Sequence, residues 1–263
     1  MHAMNRLSIL LVAILATLSV AAQPQIVAHR GFHQEGGAAC NSIEALQRAQ
    51  EAQFEWVEID INLSTDGVPM AIHGMWHPNK FEGVHVQKST KAEIQSHPLT
   101  NGEIVPTFED VLLQAKKCKT TGLVLDIKSH DTPEIEKEVV TKVVALIKKH
   151  KLQDQTMYLV SHEYMLHTIK KLNKRGDNII LANSSYSPSW RVAVGSRVIG
   201  YPYFIWYKKG MYLADCSRLG VKTIAWTPND EENIRKCVEM GFNYITTDKP
   251  DLARKIINEI YKR

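Results

Sequence analysis

An α/β fold of the TIM (β/α)8 barrel type, with a hairpin-containing insertion after the second strand, is predicted by three features of the 263-residue sequence. Eight short β-branched runs alternate with amphipathic segments of helical length, the pattern of parallel strands joined by crossover helices. The alternation continues for about 240 residues without a Gly/Ser linker, low-complexity tract or short-period repeat, and barrels of this type run to about 250 residues undivided. No Gly-rich dinucleotide fingerprint follows the first strand, which argues against a doubly wound sheet.

The first 22 residues stand apart from this pattern. Arg6 precedes an apolar stretch from Leu7 to Val20, and Ala21 and Ala22 supply the small residues that export cleavage requires. The stretch is short for a bilayer span of roughly 20 residues. It reads as a signal peptide cleaved after Ala22, leaving residues 23–263 as a single barrel domain in the periplasm or outside the cell. No later segment is expected to cross a membrane.

Strands are expected at Ile26–His29, Trp56–Ile61, Leu123–Lys128, Met157–Ser161, Asn178–Ala182, Val198–Phe204, Val221–Thr227 and Asn243–Thr247. Among the helix ends, Asn41 with Glu44 forms a capping box, Pro133 suits a first helical residue, and Gly241 closes a helix beginning near Asp230. Between the second and third strands the chain turns at Asp66-Gly67 and returns as VPMAIH, read as an excursion above the barrel rather than a ninth strand. The insertion continues from Met75 to Gly102, with a short helix in STKAEI. PTFEDVLLQAKK then supplies the helix leading to the third strand.

Thirty-two Lys and Arg against 28 Asp and Glu give a formal charge of +4, spread as pairs over helix surfaces, which gives no indication of nucleic-acid binding. Cys40, Cys118, Cys216 and Cys237 show no metal-ligand spacing and read as buried free thiols, with a Cys216–Cys237 bridge as the alternative.

The chemistry concentrates at strand ends. In WVEIDI the side chains alternate, so Val57, Ile59 and Ile61 share one face, and Glu58 and Asp60 share the other. The outer face of a barrel packs on helices, so the acids must point inward. GLVLDIK repeats the pattern with Asp126 and Lys128. Three buried acids from adjacent strands repel one another unless a cation compensates them. With oxygen donors and no cysteine, the group suits one divalent cation, Ca2+ or Mg2+. The pairs His29/His33 and His73/His77 have the four-residue spacing of a helical zinc site, but they run from strand ends into loops. IVAHRGF instead places His29, and Arg30 with its two-pronged phosphate-binding geometry, at the barrel mouth, with Gly31 where the backbone passes close to a neighbour. His73 reaches the same face through the hairpin, and two imidazoles can divide acid and base roles.

These segments resemble the glycerophosphodiester phosphodiesterase family of TIM barrels. AHRG, NSIEAL, EIDINLSTDG, IH, PTFEDVL, LDIK, AWTPN and ITTDKPDL occur in the family's order, from residue 26 to about 252. The resemblance implies metal-dependent hydrolysis of small-molecule glycerophosphodiesters. His29 and His73 would be the acid–base pair, Glu58, Asp60 and Asp126 the metal ligands, and Arg30 and Lys128 the phosphate contacts. Trp226 is similar to a tryptophan in the family's pocket wall, and Asn229 reads as a helix cap. Three positions depart from the family. Gly74 stands where Asp usually follows the second histidine, Asp126 replaces Glu, as in related sphingomyelinase D-like barrels, and Cys40 replaces an acid before Asn41. Two alternatives keep the same site: a catalytically silent phosphodiester-binding barrel, and a lipid phosphodiesterase in transient contact with a membrane. In the silent barrel the aromatic run Tyr201–Tyr207 with Trp190 could hold a choline-like cation or rest on lipid, although barrel-strand packing accounts for most of that run.

Overall fold

All eight expected barrel strands form in the computed structural model, which describes residues 23–74, 85–174, 179–182 and 184–261. The expected leader (residues 1–22), His77 and the other residues of the insertion up to 84, and Asn178 lie outside the described residues. The strands are β1 (Gln25–Ala28), β2 (Trp56–Leu63), β3 (Pro69–Ala71), β4 (Gly122–Ile127), β5 (Thr156–Val160), β6 (Ile179–Leu181), β7 (Val198–Pro202), β8 (Lys222–Trp226) and β9 (Tyr244–Thr247). Their order is β6-β5-β4-β2-β1-β9-β8-β7, every neighbouring pair being parallel. β6 and β7 pack together without ladder pairing among the described residues, which makes a nearly closed eight-stranded barrel.

Alternation along each strand sorts the core into two parts. Val57, Ile59 and Ile61 of β2 join the apolar layer between strands and helices, as the period-two pattern requires. Val27, Val124, Met157, Ile180, Val198, Ile224 and Tyr244 form a separate plug inside the barrel, with Trp56 against it. Two residues further along the same strand faces stand Glu58 above Trp56 and Asp126 above Val124, so the plug is the floor of the polar mouth.

Helix ends follow local chemistry. Thr132 caps the helix Pro133–His150 with Pro133 in its first turn, and Gly241, at φ +77°, follows the helix Glu231–Glu239. Thr90 and Glu93 make a capping box on Lys91–Gln95, the short helix expected in the insertion. No helix among the described residues is long and apolar enough to cross a membrane.

Four expectations need correction. The cap of the helix Ile43–Glu51 is Ser42, whose side chain accepts from the Ala45 N–H; Asn41 has φ +59°, a left-handed conformation that a capping residue does not use. The hairpin return is a true ninth strand, Pro69–Ala71 pairing antiparallel with Ile61–Leu63, although it stays off the barrel path. The sixth barrel strand, β7, stops at Pro202, and Tyr203–Lys208 is a helix that buries Trp206. Cys118 is half-buried rather than buried, although all four cysteines are free as expected, Cys237 lying 3.5 Å from the Tyr207 hydroxyl rather than in the alternative bridge to Cys216.

Candidate active site

Glu58 and Asp60 from the middle of β2 and Asp126 from near the end of β4 meet inside the barrel, with one carboxylate oxygen of each within 4.8 Å of the others. The ladder sets this meeting, because Asp60 pairs directly with Asp126. Lys128 bridges the two aspartates: its Nζ is 2.6 Å from Asp60 Oδ1 and also contacts Asp126 Oδ2. Arg30 Nε lies 3.2 Å from Asp60 Oδ2 with its N–H not directed at that oxygen. Asn41 holds Asp60 from the other side, its Nδ2 donating to Oδ2 at 2.8 Å and its Oδ1 accepting from the Asp60 N–H at 3.1 Å. The sharp passage of the chain at Gly31 is needed here: φ is +87°, and a Cβ would stand 2.6 Å from that of Ala45.

The charges do not balance within this group. Burial opposes ionisation of Asp60, but Lys128 and Arg30 outweigh it and hold the carboxyl well below the usual range. The same carboxylates outweigh the burial of Lys128 and hold its ammonium charged. Glu58 has no Lys or Arg ion pair among the described residues. It accepts the Arg30 backbone N–H at 2.9 Å, and His29 Nε2 is 3.8 Å away. Burial and then the neighbouring Asp60 and Asp126 charges push its pKa well up. An all-oxygen group with one uncompensated buried carboxylate fits a hard divalent cation, which would relieve the repulsion felt by Glu58.

Two histidines flank the acids in different settings. His29, at the end of β1, places Nδ1 2.6 Å from Asp248 Oδ1. Because a carboxylate only accepts, Nδ1 carries the proton and Nε2 faces the mouth. Asn229 fixes Asp248 by donating from Nδ2 to Oδ2 at 2.6 Å and accepting the Asp248 N–H at 2.9 Å. His73 is delivered by the hairpin, whose Ile72 N–H bonds the Asp60 carbonyl at 3.0 Å. Its Nδ1 is buried without a hydrogen-bond partner among the described residues. Burial, reinforced by Lys128 and Arg30, lowers its pKa to about 4 against the pull of Asp60. Gly74 beside it has φ +97°, a conformation that the Asp expected from the resemblance would adopt only with strain.

Two cavities open on this group and share one wall, formed by Lys128 and Ser129. The first, about 330 Å3, is bounded by His29, Glu58 and Asp126 on one side and by Ser161, Ser184 and Trp226 on the other. The second, about 300 Å3, is bounded by His73, His85, Gln87 and Asp131. The charged cluster therefore sits between two chambers, with His29 in the first and His73 in the second.

The sequence profile of the glycerophosphoryl diester phosphodiesterase family matches residues 29–252. The chain belongs to that family. Its class is that of the phosphoric diester hydrolases. It is 23% identical over 244 residues to the glycerophosphodiester phosphodiesterase of Caldanaerobacter subterraneus subsp. tengcongensis, covering 89% of this chain and 98% of the relative. The crystal structure of a glycerophosphodiester phosphodiesterase from Parabacteroides distasonis superposes with a TM-score of 0.84 at 31% identity, over 90% of this chain and 98% of that one. A phosphodiesterase of Oleispira antarctica, solved with the product sn-glycerol-3-phosphate, superposes with a TM-score of 0.76 at 23% identity, over 90% and 97% of the two chains.

Within this family member, every sequence-selected residue reaches the mouth: His29, Arg30, Glu58, Asp60, His73, Asp126, Lys128 and Trp226. Asn229 is there too, but as the clamp of Asp248 rather than a helix cap, a role taken by Asp230. His33, set aside as half of a zinc spacing, also reaches Asp248. Sequence reasoning missed Asn41 and Asp248 as site residues. Parity alone points to Asp248, two residues beyond inward-facing Thr246 and four beyond Tyr244.

Proposed function

We propose that the chain hydrolyses glycerophosphodiesters to an alcohol and glycerol phosphate, using one divalent cation, Ca2+ or Mg2+, and proton transfer by His29 and His73. The observation that carries this reading is the pair of chambers meeting at Lys128, with His29 in one and His73 in the other. With the phosphorus at the shared wall, the attacking oxygen, from water or a neighbouring substrate hydroxyl, approaches from the side of one imidazole, which takes its proton. The leaving ester oxygen departs toward the other, which protonates it, the opposed arrangement that in-line displacement needs. The sn-glycerol-3-phosphate bound by the Oleispira antarctica relative supports the substrate class.

Glu58, Asp60 and Asp126 would hold the cation, which when bound neutralises charge on the phosphate oxygens. Arg30 and Lys128 bind and orient the phosphate from the same side, a preorganised field that needs no rearrangement as charge develops. His29 exchanges its proton at Nε2, because Nδ1–H is committed to Asp248. His73 starts neutral and serves the oxygen on the opposite side. Trp226 walls the first chamber and excludes water from the alcohol lying there.

The same reading takes the enzyme out of the cytoplasm, on the leader pattern of residues 1–22, to act on small-molecule diesters. Transient contact with a membrane surface is part of it, supported by exposed Phe204 and Met211.

The test is hydrolysis of glycerophosphocholine, glycerophosphoethanolamine and glycerophosphoinositol with and without chelator, and in His29→Ala and His73→Ala. Activity surviving verified metal loss removes the cation from the reaction. Full activity in either variant removes that histidine.

A further inference from the structure

Asp248 Oδ1 accepts from two imidazoles. Besides His29 Nδ1 at 2.6 Å, it lies 3.1 Å from His33 Nε2. His33 is buried in the loop that follows β1, and its other ring nitrogen, Nδ1, lies 3.4 Å from Cys40 Sγ. The loop is pinned: the Phe32 N–H bonds the Ala45 carbonyl at 3.0 Å, the Ala38 N–H bonds the His33 carbonyl at 3.0 Å, and Phe32 packs edge-on against Phe54 at 5.2 Å. A chain of four side chains thus runs from Cys40 through His33 and Asp248 to His29.

The bonding pattern along this chain is constrained. The Asp248 carboxylate can only accept, so both imidazoles donate to it, His29 from Nδ1 and His33 from Nε2. Asn229 occupies the other carboxylate oxygen. With both oxygens engaged, the plane of Asp248 is fixed, and with it the direction of His29 Nε2. Remove His33, and Oδ1 is held only by His29, the group it has to orient, leaving Asn229 on Oδ2 as the one side-chain donor that anchors the carboxylate independently of His29. Cys40 fills the space against His33 Nδ1 that keeps Nε2 aimed at Asp248.

We propose that His33 is a positioning residue for the hydrolysis: braced by Cys40, it locks Asp248 in the orientation that holds His29 for proton transfer. Neither the family match nor the similar structures assign it this part. It rests on the reading of His29 as a proton-transfer residue, and its direct readout does not need activity.

The experiment compares wild type, His33→Phe, His33→Gln and Cys40→Ala. Phe keeps the buried ring without a donor, whereas Gln keeps an N–H at the reach of Nε2. Expected for His33→Phe is a fall in kcat of about tenfold or more, part of the roughly 10²–10⁴-fold that a positioned acid or base supplies, with KM little changed. His33→Gln recovers most of kcat, and Cys40→Ala loses a smaller factor. Imidazole nitrogen NMR gives the second readout: His29 is protonated at Nδ1 in wild type and His33→Gln, and loses that hydrogen-bonded proton signal in His33→Phe. Wild-type kcat in His33→Phe, or equal losses in the Phe and Gln variants, overturns the proposal. Should His33→Phe not fold, the wild-type spectrum decides, because a His33 ring unprotonated at Nε2 overturns it equally. If His29→Ala stays active, the parent reading fails, while the NMR comparison still judges the lock.

Discussion

His29 and Asp248, 219 residues apart in the chain, are joined by a 2.6 Å hydrogen bond across adjacent strands β1 and β9. Closing the barrel brings the first strand beside the last, so the pair exists only in the folded protein. Asp248→Asn preserves the shape but replaces a carboxylate oxygen with an amide that cannot stabilise an imidazolium. The expected outcome is a loss of about 10²-fold or more in kcat, with a small change in KM and unchanged chelator sensitivity, measured by steady-state kinetics.

Glu58→Gln separates stability from chemistry. In the metal-free protein, burial and the facing aspartates raise the Glu58 pKa above its ordinary 4.5. A raised acid adds stability below its unfolded pKa and loses it as pH climbs through the folded value. In chelator, wild-type stability therefore falls as pH rises above about 4.5, and the Gln variant falls less. Urea titrations across pH 4–8 check the slope. Added Ca2+ or Mg2+ should stabilise wild type, by about 2.7 kcal/mol at a hundredfold excess over Kd, and the variant far less.

The His33–Asp248 pair has its own pH signature. Burial disfavours the His33 cation, but the hydrogen bond to Asp248 and the contact with Cys40 outweigh it and raise the pKa to about 9. The same bonds, with that of His29, hold Asp248 below the ordinary carboxylate range despite its burial. The histidine's contribution is complete below pH 6.5 and disappears as pH rises through 9. Thermal unfolding should show a decline over that interval, on the order of 1 kcal/mol, that is flattened in His33→Gln.

Gly200 makes room for Trp226. A Cβ at Gly200 would stand 2.3 Å from the indole ring and 2.7 Å from Ile224 Cγ2. Gly200→Ala should cost about 1–3 kcal/mol in urea unfolding. Displacing the ring from the first chamber should raise KM more than it lowers kcat.

The reach of the sequence is clearest in β2. Period-two alternation leaves no freedom about which residues face inward, so Glu58 and Asp60 were legible from WVEIDI and Asp126 from GLVLDIK, and the ladder between β2 and β4 sets Asp60 beside Asp126. Asn41 shows the opposite case. N-S-I-E fits a capping box by composition, but the chain enters the helix one residue later, and Asn tolerates the left-handed conformation that turns its amide onto Asp60. The Tyr201–Tyr207 run misleads because a short apolar segment does not distinguish a strand from a buried helix. Asp248 carries no local signal beyond its parity, since the two imidazoles it accepts from, His29 and His33, come from the opposite end of the chain.

The shared wall at Lys128 and Ser129 divides the labour of recognition. Ser161 and Ser184, from the loops after β5 and β6, border only the first chamber; His85 and Gln87, from the insertion after β2, border only the second. On the proposed reading, each half of a diester would be judged by a separate set of loops, while the acids of β2 and β4 and Lys128 sit between the two. Tolerance for a new headgroup can evolve through one loop set while the cutting centre and the opposite half-site stay as they are.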